Sequence, residues 1–187
     1  MHETLSSATD PPLPSVISSR RGFDGKLLHV RVDDVRLPSG RESVREVVEH
    51  PGAVAIVAVT CDAQVLLIRQ THYSIQRTLL GLPAGTRKPG ESAEECARRE
   101  LLEETGYHAG PMTQIAAYYT SPGFTDELMI IFLARDCVPG TGGPNPDELI
   151  LLAPTPLAEI AGLVAPGATQ VEEGKTLIGL LLLLREV

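Results

Sequence analysis

At 187 residues and a formal net charge of −8, the chain is sized for one domain that buries roughly 70% of its unfolded surface. The acidic balance argues against generic binding to nucleic-acid backbone or to an anionic membrane, both of which want a basic surface, but it is compatible with a small anion held through metal ions. Cys61, Cys96 and Cys137 are scattered with no CxxC pair, which suggests neither a zinc site nor a disulfide framework and fits a reducing cytoplasm.

In chain order, residues 1–20 are rich in Ser, Thr and Pro and read as a flexible arm without the apolar core of a signal peptide. Leu28, Val30 and Val32 then alternate with polar residues up to the turn signal LPSGR (37–41), and SVREVVE (43–49) follows, so a hairpin is expected. The β-branched run AVAIVAVT (53–60) predicts a strand buried on both faces, and VLLIRQ (65–70) a second. GLPAGTRKPGE (81–91) reads as a loop. A helix is expected from Ser92, which forms a capping box with Glu95, to a C-cap at Gly106. Further strands are expected over 112–120, 127–134 and 149–154, and helices over 156–164 and 169–186. The run LIGLLLLL (177–184) is too short to span a bilayer and suits a buried helix. The order predicts a mixed sheet flanked by helices.

The central helix poses a question. Glu100, Glu103 and Glu104 fall within five positions, where like charges three or four apart oppose helix formation by about 0.2–0.5 kcal/mol per pair. At 3.6 residues per turn, Ala93, Ala97, Glu100 and Glu104 share one stripe, with Cys96 and Glu103 beside it. Small residues let the helix approach a sheet closely, and carboxylates on the same stripe are then partly desolvated. Such a cluster wants a compensating cation, and Mg²⁺, a hard ion that takes oxygen ligands and keeps waters for a phosphate to replace, suits it. Charge runs more often simply face water, so the surrounding residues have to decide.

Those residues are specific. Gly85, five residues, Glu91, seven residues, then Arg99-Glu100-Leu101-x-Glu103-Glu104-x-Gly106 resembles the signature of the Nudix hydrolases, with Tyr107 in place of the usual aliphatic residue as the one departure. The resemblance implies an α/β/α sandwich with a mixed sheet, an N-terminal β-hairpin region, and hydrolysis of a nucleoside diphosphate linked to another group. It implies Glu100, Glu103, Glu104 and the backbone carbonyl of Ala84 as ligands of Mg²⁺, with Mn²⁺ or another divalent cation as the alternative. It makes Arg99 and Glu91 partners that orient the acids, has Gly85 turn the loop close to the metal, and has Gly106 stop the helix.

LPAG (82–85), Pro122 in SPGFTDE (121–127) and VVEHPGAVAIVAV (47–59) further resemble the ADP-ribose pyrophosphatase branch. That branch implies a homodimer in which the first strands are exchanged, dividing the chain into a 1–20 arm, 21–50 N-terminal strands and a 51–187 Nudix hydrolase domain. The activity so implied is metal-dependent cleavage of ADP-ribose to AMP and ribose 5-phosphate in the cytoplasm, with no nucleic-acid or membrane partner. The branch places its general base on a late mobile loop. Here GTGGPNPDELI (140–150) offers Glu148 first and Asp147 second, with Glu127 a further candidate for catalysis or binding. Arg69, His72 and Arg77 are candidates for phosphate or ribose contacts, and Arg45 for the adenosine side across a dimer. With no Trp in the chain, adenine stacking falls to Tyr73, Tyr118, Tyr119 or Phe124. The branch often has an aromatic and an acid before LPAG, whereas this chain has Leu80 and Gly81. Other nucleoside diphosphate derivatives (nucleotide sugars, dinucleotides, flavin dinucleotide) and a non-catalytic ADP-ribose sensor are the rival readings.

Overall fold

The structure, a computed structural model, describes residues 10–144, 149–168 and 170–186. It divides into two compact units, one running through His50 and taking in Ser121–Asp126, the other formed by Pro51–Thr120 and the chain from Glu127 onward.

The first unit is a three-stranded antiparallel sheet in the order β1 (Ser15–Asp24), β2 (His29–Arg36), β3 (Glu42–Glu49). β2 and β3 form the expected hairpin, pairing His29 with Glu49 through Arg36 with Glu42. The turn between them is closed by the Gly40 amide on Leu37 O at 2.8 Å, with Gly40 at φ +83°, a conformation that favours glycine. β1 is a correction to the flexible arm read over 1–20, since a strand begins at Ser15. Every residue of β1 is exposed, so no apolar alternation announces it in the sequence. Its order comes from backbone pairing to β2. Segment 121–126 docks on the end of β3, with the Val48 amide on Phe124 O at 2.8 Å and the His50 amide on Asp126 Oδ1 at 2.7 Å.

The second unit is built on β4 (Ala53–Thr60), buried along its whole length. Successive side chains of a strand point to opposite faces. Ala53, Ala55, Val57 and Val59 join one core with Leu180 and Leu183, while Val54, Ile56 and Ala58 join another with Cys96, Ala97 and Leu101. One strand thus separates two helices, α1 (Ala93–Thr105) and α3 (Gly174–Leu183), which makes three layers. The sheet runs β11 (Ile150–Pro156), β5 (Gln64–His72), β4, β10 (Leu128–Pro139), β8 (Tyr107–His108). β4 and β10 are parallel, and the other pairings in the unit are antiparallel. β9 (Met112–Tyr119) pairs with β10. The mixed α and β class expected from the sequence is the class observed.

Three local expectations need adjusting. The 81–91 loop contains a short strand, β7 (Ala84–Thr86), paired with β4, and β6 (Arg77–Gly81) precedes it. The 156–164 helix is a 3₁₀ turn, Leu157–Glu159, followed by α2 (Ile160–Leu163). The helix expected from 169 starts only at Gly174. Among the described residues no helix is long and apolar enough to cross a membrane.

Candidate active site

α1 begins as its sequence dictates. Ser92 Oγ accepts from the Glu95 amide at 3.2 Å and the Glu95 carboxylate accepts from the Ser92 amide at 2.9 Å, which satisfies two of the orphan donors of the first turn. It ends at Gly106, φ +75°, whose amide bonds Leu102 O at 3.0 Å. Between these ends the buried face is Cys96, Ala97, Leu101, Glu104 and Thr105. The stripe expected from periodicity is present: Glu104, on it, is buried, and Glu103, beside it, is half-exposed.

Glu104 is inside because it has a partner. Its Oε2 accepts from the Ala84 amide at 2.8 Å, so the end of α1 is tied to the start of β7. Neighbouring Gly85 pairs with Val54 of β4, and a Cβ at position 85 would fall on the Glu100 carboxylate. Glycine is therefore required here for close approach rather than for backbone freedom.

Arg99 is the hub of the acids. Its Nε and Nη2 bind both Glu91 oxygens at 2.7 and 3.0 Å, and its Nη1 reaches Glu100 Oε1 at 2.6 Å and Glu103 Oε2 at 2.9 Å. Forked charge-assisted bonds of this kind are strong and directional. Arg99 and the Lys88 amide together hold the Glu91 carboxyl down at about 2, and Glu91 in turn raises the Arg99 guanidinium further above its usual value. Glu100 moves the other way: burial raises its carboxyl despite the Arg99 contact. Burial also lifts the Cys96 thiol to about 12, so it packs as a small inert group. Arg98 points elsewhere, to Glu94 at 2.8 Å and to the Ala109 and Gly110 carbonyls, and does not neutralise the stripe.

This donor set fits a hard divalent cation in its chemistry. It is all oxygen, partly desolvated, and carries more negative charge than Arg99 offsets. Among the described residues no three acidic, His or Cys side chains already converge on one point, because Glu100 and Glu103 turn to Arg99 and Glu104 turns to Ala84. Rotation of Glu100 and Glu103 off Arg99 is what cation binding would require.

The remaining candidates are dispersed. Arg45, Pro122 and Phe124 belong to the N-terminal unit, where Arg45 Nη1 bonds Ser43 Oγ and Val44 O, both at 2.8 Å. In the second unit, Arg77 is paired through both nitrogens with Glu172 at 2.7 Å, His72 is half-buried, and Tyr73 is 88% exposed. Arg69 lines a cavity of about 390 Å³ with Thr78 and Glu172. Glu127 accepts from Thr120 Oγ1 at 2.5 Å and lines a separate cavity of about 300 Å³ with Tyr118, Glu173 and Lys175. Tyr119 is exposed. Asp147 and Glu148 lie outside the described residues. Glu173 and Lys175, which line the Glu127 cavity, were not singled out from the sequence, because the short VEEGKT stretch gives no signal beyond the start of a helix.

Comparison with known proteins now bears on this geometry. The NUDIX domain family matches residues 49–173, and the nucleoside diphosphate sugar hydrolase N-terminal domain matches residues 15–48. This chain belongs to the Nudix family. Among Nudix relatives, the chain is 47% identical over 120 residues to an ADP-ribose pyrophosphatase of Bacillus subtilis (strain 168), covering 64% of this chain and 65% of that protein. The match thus spans just under two thirds of that relative's length. It is 36% identical over 164 residues to a CMP-5'-(N-acetyl-N-hydroxy-3-aminopropyl)phosphonate hydrolase of Streptomyces rubellomurinus (strain ATCC 31215), covering 86% of this chain and 77% of that one. A crystal structure of an ADP compounds hydrolase superposes with a TM-score of 0.82 at 26% identity, covering 96% of each chain. Nudix hydrolases generally depend on a divalent cation.

Proposed function

We propose that this Nudix protein hydrolyses the pyrophosphate of ADP-ribose to AMP and ribose 5-phosphate. The observation that carries the reading is the Arg99-centred carboxylate cluster folded against the Gly85 loop. The B. subtilis relative, itself an ADP-ribose pyrophosphatase, supports the choice of substrate. Glu100, Glu103, Glu104 and the Ala84 carbonyl would hold Mg²⁺, or Mn²⁺ in its place. When bound, the cation neutralises the diphosphate, orients it and acidifies the attacking water. Arg99 and Glu91 aim the acids. A water oxygen bonds to phosphorus, the bridging P–O bond breaks, and the water proton passes to a base. That base is Glu148 first and Asp147 second, with Glu127 the further candidate. Arg69, His72 and Arg77 serve phosphates or the terminal ribose, Arg45 the adenosine side, and Tyr73 or Phe124, beside Pro122, the adenine ring.

The reading includes a cytoplasmic homodimer with exchanged N-terminal strands and a functional division at residues 20 and 50. In its support, β1 leaves Val16, Ile17 and Phe23 exposed, an apolar edge that a lone chain has reason to cover. Sedimentation at working concentration should give twice the chain mass.

A second reading, action on another nucleoside diphosphate derivative, is favoured by Gly81, which removes the side chain expected before LPAG, and by the match to a hydrolase of a CMP-linked phosphonate. A panel of ADP-ribose, nucleotide sugars, dinucleotides and flavin dinucleotide assayed with Mg²⁺ decides between them. ADP-ribose is expected to rank first by kcat/KM. A rank well below another compound overturns the substrate, and stoichiometric binding without AMP release would instead mark a sensor.

A further inference from the structure

The loop that leads into the signature is held from two sides, and only one of them belongs to the signature. Leu82, Pro83 and Ala84 present two amide donors, since Pro83 has none. The Ala84 amide goes to Glu104 of α1 at 2.8 Å. The Leu82 amide goes to Thr176 Oγ1 of α3 at 2.9 Å. The Pro83 carbonyl takes the Ile56 amide of β4 at 2.9 Å. Helices from opposite layers therefore grip residues two apart on one strand of backbone.

Thr176 is an unusual member of its helix. It is fully buried in a run that is otherwise almost wholly apolar, where valine would fill the same space. A threonine in a helix commonly returns its hydroxyl to its own backbone, but here the oxygen accepts from Leu82 and the proton goes to Glu173 Oε2 at 2.7 Å. Glu173 is held in turn by its ion pair with Lys175. Two glycines make the arrangement possible. A Cβ at Gly81 would stand 2.9 Å from Glu173 Oε2, so the bare position admits that carboxylate. A Cβ at Gly179, one turn beyond Thr176, would meet Leu82 Cδ1 at 2.6 Å, so the Leu82 side chain seats in a notch on α3. Backbone and side chain of Leu82 are thus both received by the same helix face.

We infer that Thr176 is a positioning residue for the cation-binding loop: by fixing Leu82 it sets where Ala84 meets Glu104. The inference rests on the reading of Glu104 and Ala84 as cation ligands under Proposed function. It extends the site to α3, on the far side of the sheet from the acids, with Gly81, Glu173 and Gly179 as the supporting shell. Outer partners that orient ligands typically change metal affinity by about 10–100-fold when removed.

The test compares the wild-type chain with Thr176→Val, Thr176→Ser and Gly81→Ala. Two quantities are read: amide hydrogen exchange at Leu82 and Ala84, and Mn²⁺ affinity by electron paramagnetic resonance. Thr176→Val is expected to speed exchange at both amides and to weaken Mn²⁺ binding about tenfold, and Thr176→Ser to restore both. Gly81→Ala displaces only the far end of a flexible side chain and is expected to shift both readings the same way by less. Should Thr176→Val fail to fold, Gly81→Ala decides alone. A folded Thr176→Val, or in its absence Gly81→Ala, with wild-type Mn²⁺ affinity overturns the inference, whether or not exchange rises. Unchanged exchange in the same variant overturns it while leaving the cation reading intact. A wild-type chain that binds no Mn²⁺ removes the cation reading and the inference together.

Discussion

Helices α1 and α3 pack on opposite faces of the same strand, yet they are stabilised by different means. α3 has no side-chain cap at its start and relies on the burial of Leu180 and Leu183. α1 buries one large side chain, Leu101, beside the small Ala97 and Cys96, carries a full capping box, and stops on a left-handed glycine. A helix that must keep carboxylates on its inward stripe gains little from apolar burial there. Beyond Leu101, more of its stability has to come from its ends and from Arg99. Where a helix gives its inner face to chemistry, the caps become part of the functional design.

That contrast can be broken from either side. Leu180→Ala, removing a fully buried side chain, should cost about 2–5 kcal/mol of stability and leave turnover per folded molecule unchanged, as denaturant melts paired with active-site titration will show. Ser92→Ala should cost about 1 kcal/mol at neutral pH, again without loss of turnover. Its effect should depend on pH. Hydrogen bonds from the Ser92 side chain and amide lower the Glu95 carboxyl in the folded state. The contribution of that carboxylate is therefore present above the ordinary 4.5 and lost as pH falls through its folded value. The gap between the stability curves of wild type and Ser92→Ala should narrow in that acid range, leaving the share due to the Glu95 amide bond to Ser92 Oγ, and a constant gap down to pH 2 would contradict the capping account. The smallest effect concerns the thiol on the α1 face. Cys96 and Cys137 are buried and Cys61 is exposed, so iodoacetamide should label native protein at Cys61 alone. Peptide mapping that finds label on Cys96 would mean α1 is not seated as described.

How much was legible in the sequence follows the same division. The acids of α1 stood out because they contradict helix energetics, and the spacing from Gly85 to Gly106 identified the family before any fold was known. β4 was legible because burial on both faces leaves a continuous β-branched run. β1 was not, because a strand held by backbone pairing and by polar side-chain contacts such as Ser18 to Asp34 and Arg21 to Glu49, with no buried side chain, has no apolar periodicity to read. Thr176 was not either: its role depends on Leu82, 94 positions away, and a lone threonine at a helix start reads as ordinary. Spacing did place Glu104 on the inward stripe and Glu103 beside it, but it could not show the Ala84 amide that Glu104 accepts from.

The central claim is that the α1 carboxylates exist to hold a divalent cation for phosphoanhydride cleavage. Its most direct test is AMP release from ADP-ribose with Mg²⁺ by Glu103→Gln and Glu104→Gln, each checked by a thermal melt. Turnover is expected to fall in both by at least the roughly 10–100-fold typical of losing a ligand's outer partner, with folding retained. Undiminished turnover in an intact Glu104→Gln chain would contradict the account.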